Sequence, residues 1–440
     1  MDMFSEKLFY LLILTLLIVI YLRYKKRATK NNLYVKKEEF DAGLTEPPSL
    51  HPVIDHSKCL GCGSCVLACH EKDVLGVINR KAELIAPTRC IGHGACKDAC
   101  PVGAITLVFG TEKRGVDIPM VQPNFETNVP GIFIAGELGG MGLIRNAIEQ
   151  GKQALESIVN KISNNNGKDE EVLDVLIIGA GPAGFSASLA AMENKLNCVT
   201  LEQETLGGTV AHYPRNKIVM TQPAILPMFG KTRFTETTKE ALMEFWNDVE
   251  KSTGVKINYN ERVLKVERED GYFKVTSENS TLSSYKSQTV LLAKGRRGTP
   301  RKLDVPGEEK PKVVYRLIDP EQYKSQHVIV VGGGDSALEA ACSISEMPET
   351  TVTISYRSEA FGRAKKKNRD NVQKAQEEGR LNVLMKSNVK EIRDHDLLID
   401  HDGQEITLKN DAVIICAGGI LPTAFLKETG IEVETKRGTE

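Results

Sequence analysis

The feature that most restricts the fold is a strand, loop, helix and strand pattern at residues 172–202, VLDVLIIGAGPAGFSASLAAMENKLNCVTLE. An apolar strand leads into the glycine pattern Gly179-x-Gly181-x-x-Gly184. An alanine-rich helix and a second strand that ends in Glu202 follow. Such glycines let the backbone approach a pyrophosphate at the helix N-terminus, and an acid about 20 residues further on can bind a ribose hydroxyl. The segment therefore predicts a Rossmann-like dinucleotide-binding domain in an α/β fold.

Residues 327–357 repeat this plan with a strand (HVIVV), a glycine loop, a helix and a second strand (TVTISYR). The second strand ends in Arg357 rather than in an acid, and further basic residues follow it. An arginine at this point accommodates a 2′-phosphate, so the pattern favours NADPH over NADH. The predicted residues of this second site are Gly332, Gly334, Ser336, Ala337, Arg357 and Arg363.

Seven of the ten cysteines fall between residues 59 and 100, a distribution typical of a metal site rather than of a secreted disulfide framework. The first run has the spacing C-x2-C-x2-C-x3-C, and the second has C-x2-H-x2-C-x3-C-P, with His93 in register with Cys62. In two-cluster ferredoxins, three closely spaced cysteines bind one cluster and the fourth binds the other. On that scheme the first cluster binds Cys59, Cys62, Cys65 and Cys100, and the second binds Cys69, Cys90, Cys96 and, in one alternative, His93.

The histidine at position 93 leaves three alternatives open. It ligates a [4Fe-4S] cluster, as the register with Cys62 favours, or it lies unligated beside a [3Fe-4S] cluster, or the cluster takes an external ligand. Imidazole ligation would replace an anionic thiolate with a neutral donor, which raises the reduction potential in Rieske centres. Two structural zinc sites are disfavoured, because zinc sites usually have separated ligand pairs rather than four ligands in a short run.

The N-terminus contains an uncharged apolar run at residues 8–22, LFYLLILTLLIVIYL. It is short against the roughly 20 residues of a spanning helix, but Lys7 and Arg23 can extend it by reaching the interface. An acid-containing leader and the following RYKKR favour an uncleaved anchor over a signal peptide or a buried or interfacial helix. Basic residues after the run predict a single-pass protein of the inner cell membrane with its catalytic body in the cytoplasm.

Length and charge set broad limits on domains and partners. A chain of 440 residues can form two or three packed domains. Its formal net charge of −1 gives no global reason to expect a nucleic-acid partner.

Two different nucleotide sites in one chain resemble the flavoprotein reductases with two dinucleotide-binding domains, thioredoxin reductase in particular. The resemblance covers most of residues 111–440. The matching stretches are NVPGIFIAGE (128–137), GAGPAG (179–184), LAKGRRGTPR (292–301), VGGGDSALEAA (331–341), SYRSEAFGRA (355–364) and CAGGILPT (416–423).

The resemblance implies FAD in the first site, NADPH in the second, and a homodimer. Gly136 and Glu137 take the place of the G-D element that contacts the flavin ribityl chain in that family. The stretch GGTVAHYP (207–214) resembles the family's segment beside the flavin ring, which implies that Gly208 and Thr209 line that region.

The chain departs from the family in two respects. It has no C-x-x-C pair in the second domain, and Cys198, Cys342 and Cys416 are expected to be buried in packing, so the usual dithiol relay is excluded. In addition, the segment 125–158, which normally closes such chains, precedes the first glycine loop here. This order resembles a circular permutation, which is feasible because domain termini often lie close in space.

The predicted domains are a transmembrane anchor and juxtamembrane linker (1–49), a two-cluster ferredoxin-like domain (50–110), the permuted part of the FAD domain (111–161), a linker (162–171), the FAD domain (172–297), the NADPH domain (298–410) and a return to the FAD domain (411–440). The cofactors carry the chemistry in such proteins. The leading expectation is an NADPH oxidoreductase that sends electrons through FAD and two iron–sulfur clusters to a protein or quinone acceptor. The alternatives are a reductase of a small disulfide or organic substrate at the flavin, and a redox-sensing regulatory subunit.

Overall fold

The computed structural model describes residues 3–47, 50–69, 71, 73–90, 92–112, 115–140, 142–162, 171–213, 217–220, 225–231, 236–278, 284–296, 299–362, 364–420 and 422–438. The chain divides into two compact units. Unit 1 comprises Met1–Gly115, Glu359–Arg369 and Arg437–Glu440, and unit 2 comprises Val116–Ser358 and Asp370–Lys436. Most of the predicted linker 162–171 lies outside the described residues.

Unit 1 consists of one long helix and a small domain of short elements. These are the helices α1 (Met3–Asp41), α2 (Ser64–Ala68) and α3 (Ala95–Asp98), a 3-10 turn at Pro87–Arg89, and the strands β1 (His51–Ile54), β2 (Leu75–Ile78), β3 (Lys81–Leu84) and β4 (Ile105–Val108). β1 pairs antiparallel with β4, and β2 with β3. The helices α2 and α3 each follow a glycine with a positive φ, +83° at Gly63 and +82° at Gly94. Each cysteine run therefore turns sharply into its helix at a residue type that tolerates this backbone conformation.

Helix α1 extends far beyond the predicted anchor at residues 8–22. The apolar side chains from Tyr10 to Leu22 are exposed, and the helix continues through the basic residues that follow Arg23. Within the described part of the chain, no helix combines the length and apolarity needed to cross a membrane. The transmembrane helix expected at residues 8–22 thus stays a prediction.

The C-terminal part of α1 packs against the small domain of unit 1. Val35 is buried with Ile78 and Ile85, and Asn32 Nδ2 donates a hydrogen bond of 3.1 Å to the carbonyl oxygen of Val77. These contacts explain why the helix persists past the basic residues, since tertiary packing stabilises most helices in proteins.

Unit 2 contains the remaining elements. Its helices are α4 (Ile144–Ile162), α5 (Pro182–Glu193), α6 (Lys239–Thr253), α7 (Asp335–Ser345), α8 (Lys366–Glu377, counted with unit 1 up to Arg369) and α9 (Thr423–Glu428), with 3-10 turns at Glu137–Gly139, Gly208–Val210 and Pro320–Tyr323. Its strands are β5 (Val116–Pro119), β6 (Ile132–Ile134), β7 (Leu173–Ile178), β8 (Cys198–Leu201), β9 (Ile218–Met220), β10 (Ile225–Leu226), β11 (Gly230–Lys231), β12 (Glu236–Thr238), β13 (Ile257–Asn258), β14 (Val263–Glu269), β15 (Tyr272–Ser277), β16 (Tyr285–Leu292), β17 (Thr299–Pro300), β18 (Val313–Val314), β19 (His327–Val331), β20 (Thr351–Ser355), β21 (Leu381–Leu384), β22 (Ser387–Ile392), β23 (Asp396–His401), β24 (Gln404–Lys409), β25 (Ala412–Ile415), β26 (Gly419–Ile420) and β27 (Val433–Lys436).

The first large sheet has the order β13-β8-β7-β16-β15-β14, and β6 also pairs with β16. The pairs β13/β8, β8/β7, β7/β16 and β16/β6 are parallel. The first glycine loop joins β7 to α5, as the sequence pattern predicts. Strand β6 precedes that loop in the chain, so the segment predicted to be permuted contributes its strand to this sheet.

Helix α4, from the same segment, packs closely on α5. A Cβ atom at Gly151 would lie 2.0 Å from the carbonyl oxygen of Ala183, so only glycine permits this approach. The apolar face of α4, including Ala154, Leu155 and Ile158, is fully buried in the shared core. The two helices therefore form one layer on the sheet.

The second large sheet has the order β18-β25-β19-β20-β21 and is parallel throughout. Strands β22, β23 and β24 form a separate antiparallel sheet. The predicted return to the first domain at residue 411 comes too early, because β25 pairs with β19 in the second sheet. Beyond it, Leu426 and Ile431 pack into the core of the first sheet. The two sheets with their helices confirm the predicted α/β class.

Candidate functional site

The first glycine loop has the close backbone approaches of a pyrophosphate-binding turn. Gly179 has a φ of +101°, and a Cβ atom there would lie 2.8 Å from the carbonyl oxygen of Ala293. A Cβ atom at Gly184 would lie 1.8 Å from the carbonyl oxygen of Gly179. Gly181, in contrast, faces open space at the start of α5. The loop therefore leaves room for a phosphate at the helix N-terminus.

Glu202 lies at the end of β8 beside this loop and is 5% exposed. Its carboxylate accepts hydrogen bonds from the backbone N–H groups of Ala180, at 2.7 Å, and Glu204, at 3.0 Å. Burial raises the pKa of Glu202 above its usual value, although these two N–H groups oppose the rise. The carboxylate thus fixes the loop while its remaining lone pairs can accept from ribose hydroxyls.

The predicted flavin-side segments lie next to the same loop. A Cβ atom at Gly208 would be 3.2 Å from Cα of Gly181. Thr209 follows Gly208 in the 3-10 turn Gly208–Val210. Gly136 has a φ of +83°, its Cβ position would lie 2.9 Å from Cβ of Ala183, and the half-buried Glu137 follows it. The structure therefore brings these four predicted residues together around the start of α5.

Two basic residues of this region were not among the predicted site residues. Lys294 and Arg296 follow β16, next to the first glycine loop, since a Cβ atom at Gly179 would lie 2.9 Å from Cα of Lys294. Burial and the neighbouring charge of Arg262 lower the pKa of Lys294 to about 8, and its Nζ lies 4.0 Å from the ring centre of Phe425. The sequence signal that could have identified these two residues is their position directly after the apolar end of a strand.

Arg296 is held by unit 2's own backbone. It donates a hydrogen bond of 2.6 Å to the carbonyl oxygen of Asp117, and burial lowers its pKa while the charge of Glu137 opposes that change. A desolvated cation beside a phosphate-binding loop is suited to an anionic ligand.

The second glycine loop has a comparable geometry. Gly332 has a φ of +141°, and a Cβ atom there would lie 2.4 Å from the carbonyl oxygen of Cys416 and 3.2 Å from Cβ of Ala337. Gly334 faces open space at the start of α7. The Tyr356 ring covers Gly333, whose Cβ position would lie 2.4 Å from it, a contact that the sequence did not predict.

The polar residues predicted for this site lie at its rim. Ser336 in the first turn of α7 and Arg357 after β20 are both exposed. Arg363, the other predicted contact to a 2′-phosphate, lies outside the described residues. The structure thus leaves Arg357 accessible for an anionic group.

The first group of predicted iron ligands combines buried and exposed thiols. Cys59 and Cys65 are buried, Cys62 is exposed, and Cys100 is half-buried. Backbone N–H groups donate to the sulfurs, from Gly61 to Cys59 at 3.4 Å and from Ala104 to Cys100 at 3.2 Å. Such donors stabilise thiolates and the clusters that thiolates bind.

The second group lines one cavity of the small domain. Its walls are Pro52, Cys69, Glu71, Val74, Leu75, Cys90, Gly92, His93, Gly94, Cys96 and Leu107. All four ligands predicted for the second cluster are in this set, whereas Cys100 is not. Burial raises the pKa of both Cys90 and Cys96 to about 11, so cluster binding at this cavity requires proton release from the thiols.

A site for a single metal ion would need at least three ligands around one point, which differs from the ligand arrangement of a cluster. Among the described residues, no three histidine, cysteine or acidic side chains are grouped to hold one metal ion. The thiols do fit the donor chemistry of an iron–sulfur cluster, in which each thiolate binds a different iron. The remaining thiols, Cys198, Cys342 and Cys416, are partly rather than fully buried.

Comparison with known families decides the class of the protein. A model of a 4Fe-4S dicluster domain matches residues 51–101, and a pyridine nucleotide-disulphide oxidoreductase model matches residues 176–439, more than half of the chain. The chain belongs to the pyridine nucleotide-disulphide oxidoreductase family. With its additional 4Fe-4S dicluster domain, this oxidoreductase confirms the predicted combination of a thioredoxin-reductase-like part and a two-cluster ferredoxin-like part. The predicted enzyme class is confirmed as well.

Curated relatives and solved structures agree with this family. The ferredoxin–NADP reductase of Ignicoccus hospitalis is 28% identical over 266 residues, covering 60% of this oxidoreductase and 83% of that protein. The ferredoxin–NADP reductase of Acholeplasma laidlawii is 29% identical over 270 residues, covering 60% and 79%. The structure of a bacillithiol disulfide reductase from Staphylococcus aureus has a TM-score of 0.52 at 23% identity, covering 59% and 80%, and shows the fold.

Proposed function

We propose that this oxidoreductase transfers electrons from NADPH, by way of FAD in the first glycine-loop site, to two iron–sulfur clusters in its own ferredoxin-like domain. A protein or quinone acceptor then receives them. The observation that carries the proposal is the presence of two dinucleotide loops and a paired set of cluster thiols in one chain, without a C-x-x-C pair in residues 172–440.

The names of the relatives support a ferredoxin-type acceptor. Two similar proteins are ferredoxin–NADP reductases. In this chain a 4Fe-4S dicluster domain is part of the same polypeptide, so the first acceptor is built in. A tethered acceptor has a high effective concentration, which removes the need for a separate binding step.

The residues of the chain bind and orient the cofactors in this proposal. The open positions at Gly181 and Gly334 admit the two pyrophosphates, and Arg357 binds the 2′-phosphate. When bound, the flavin accepts a hydride and releases single electrons, which is the chemistry that joins a nicotinamide to iron–sulfur centres. Lys294 and Arg296 offset the negative charge of the pyrophosphate next to the first loop.

Cytochrome c reduction tests the proposal, with the parent protein, Cys96→Ser in the second cluster cavity and Cys342→Ser as the matched control. We expect NADPH to bleach the flavin in all three proteins. Cytochrome c reduction should fall only in Cys96→Ser, because its electrons have lost the cluster route. Equal rates in all three would refute transfer through the clusters.

A second candidate, direct reduction of a small disulfide or organic substrate at the flavin, has one observation in its favour. His212, just after the flavin-side turn, lies 2.5 Å from a carboxylate oxygen of Glu204, which also lies 3.6 Å from Arg316. Burial and the charge of Arg316 lower the pKa of His212. This group can exchange a proton with a substrate. Unchanged disulfide reduction in Cys96→Ser, with loss in His212→Ala, would favour this candidate.

Two further features belong to the proposal. The exposed apolar side chains from Tyr10 to Leu22 support association of α1 with a membrane. The basic residues after this run support a position of the catalytic body in the cytoplasm. Flotation of the full chain with lipid vesicles, compared with a chain lacking residues 2–22, tests this association. The resemblance to thioredoxin reductase supports a homodimer, which sedimentation of the loaded protein tests.

A further inference from the structure

The imidazole of His93 has both of its nitrogens engaged in the second cluster cavity. The backbone N–H of Ala95 donates a hydrogen bond of 3.2 Å to Nδ1 of His93. Nε2 of the same ring lies 3.8 Å from Sγ of Cys69. A neutral imidazole that accepts at Nδ1 carries its proton on Nε2, so the ring presents an N–H group to the sulfur.

The backbone N–H of Ala95 finds its acceptor in His93 and not within its own helix. Ala95 is the first residue of α3, and the first N–H groups of a helix have no partner within the helix. The N–H groups of Lys97 and Asp98 both donate to the carbonyl oxygen of Gly94. The Nδ1 lone pair therefore satisfies a backbone donor that the tight turn at Gly94 creates.

The first cysteine run shows why a histidine differs from a cysteine here. Cys62 is in register with His93, and its Sγ lies 3.4 Å from Oγ of Ser64, two residues further on. A thiolate has enough lone pairs to accept such a bond and bind iron at the same time, whereas a neutral imidazole has one in-plane lone pair, on its unprotonated nitrogen. Cys62 can therefore accept a hydrogen bond and still bind iron. In His93 the corresponding hydrogen bond, from Ala95, uses the lone pair of Nδ1.

We propose that His93 is a positioning residue that donates a hydrogen bond from Nε2 to the thiolate of Cys69, and that the protein holds the second cluster through Cys69, Cys90 and Cys96 alone. The fourth corner of that cluster is then either without iron or bound to a ligand from solution. The proposal rests on the presence of the predicted clusters, and it is independent of whether NADPH reduces them.

The test uses the loaded full chain, reduced with dithionite rather than NADPH, so that a failure of the NADPH route does not affect it. In His93→Gln, the amide oxygen can accept from Ala95 and the amide N–H can donate to Cys69, whereas His93→Leu loses both bonds. His56→Gln is the control, because His56 Nε2 lies 3.1 Å from the carbonyl oxygen of Ala82 and His56 is not among the walls of the second cluster cavity.

We expect His93→Leu to keep the iron content of the parent and to shift the second cluster to a lower reduction potential, because hydrogen bonds to cluster sulfurs favour the reduced state. His93→Gln should restore most of the shift, and His56→Gln should show none. An unchanged potential in His93→Leu, or loss of iron in both His93 variants, would overturn the proposal.

A measurement on the parent protein decides the question even if a variant fails to fold. With 15N-labelled histidine, a pulsed electron paramagnetic resonance spectrum distinguishes a nitrogen bonded to iron from one that donates to a sulfur. The spectrum is recorded in the half-integer-spin state of the cluster, which is the reduced state for four irons and the oxidised state for three. We expect the weak coupling of a hydrogen-bonded nitrogen. The strong coupling of a directly bonded nitrogen would contradict the proposal and support ligation by His93.

Discussion

A buried carboxylate in unit 1 allows a sharp prediction about stability. Glu39, near the end of α1, is 5% exposed. Its Oε1 accepts from Arg89 at 2.7 and 3.1 Å, and its Oε2 accepts from Thr88 at 3.3 Å and lies 3.8 Å from Arg369. Arg369 in turn donates to Thr88 at 3.1 Å. This carboxylate therefore faces two guanidinium groups whose side chains are only 10% and 13% exposed. Arg89 has one further partner, the half-exposed Asp73 at 3.4 Å.

The substitution Glu39→Gln keeps the size of this side chain and removes its charge. Breaking a buried ion pair in this way typically costs about 3–5 kcal/mol, because a buried partner charge loses its compensation. Here the loss falls mainly on Arg369, since Asp73 still faces Arg89. For a domain of this size, that loss corresponds to a fall of roughly 10–20 °C in the unfolding temperature. The matched control is Glu83→Gln, since Glu83 pairs with Lys36 at the surface of the same unit, where such pairs contribute less than about 1 kcal/mol.

Two optical signals separate the units in this experiment. Loss of the iron–sulfur absorbance reports unit 1, and the fluorescence of Trp246, the only tryptophan and fully buried in unit 2, reports the other. In Glu39→Gln we expect early loss of the absorbance with an unchanged Trp246 transition, and in Glu83→Gln we expect neither change. An absorbance transition in Glu39→Gln equal to that of Glu83→Gln would show that Glu39 stabilises unit 1 no more than a surface pair does.

Three further predictions concern unit 2. Gly184→Ala should lower the unfolding temperature reported by Trp246 and abolish flavin retention, because its Cβ would lie 1.8 Å from a loop carbonyl oxygen. Gly181 has a φ of −69° and faces open space, so Gly181→Ala should keep that unfolding temperature and weaken flavin binding by about tenfold or more. Arg357→Gln should raise the KM for NADPH by roughly 10–100-fold and leave that for NADH unchanged, because a charge-assisted hydrogen bond to the 2′-phosphate is lost. Lys294 has a folded pKa of about 8, below the value of about 10.4 in an unfolded chain, so between these pH values the unfolded state binds more protons and stability rises with pH. Relative to Lys294→Met, the parent should therefore gain roughly 3 kcal/mol of stability across this range, measured by Trp246 unfolding in denaturant.

Each of these predictions has a clear contrary result. Equal flavin retention in the two glycine variants would show that the clash at Gly184 is relieved elsewhere. An equal rise in KM for both nicotinamides would remove Arg357 from the 2′-phosphate site. A parent and a Lys294→Met protein with parallel pH profiles would show that the lysine is not desolvated in the folded state.

The glycine loops could be predicted from sequence because sterics alone determine them. At Gly179, Gly184 and Gly332, a Cβ atom would collide with the backbone, so the residue type itself records the geometry. The cysteine register likewise predicted that Cys69 and Cys96 share a cavity, since a repeated loop places its ligands in a repeated way.

Tertiary packing determined the features that the sequence did not reveal. Helix α1 continues to Asp41 because its C-terminal part packs on the small domain, where Glu39 is buried, and no local pattern records that contact. The strand Ala412–Ile415 joins the second sheet because of its partner β19, while a short apolar run fits either sheet. Tyr356 covers the second loop through a ring contact that depends on the fold of both segments.

An anaerobic NADPH titration of the loaded protein, with flavin absorbance and cluster paramagnetic resonance followed in the same sample, shows whether electrons from the nicotinamide reach the clusters. We expect cluster signals to grow as the flavin absorbance falls, because electrons from the nicotinamide reach the iron–sulfur domain of the same chain. Transfer through the clusters would be contradicted if the flavin bleached fully while the clusters stayed silent, although dithionite reduced the same clusters in a titration poised at the potential of NADPH.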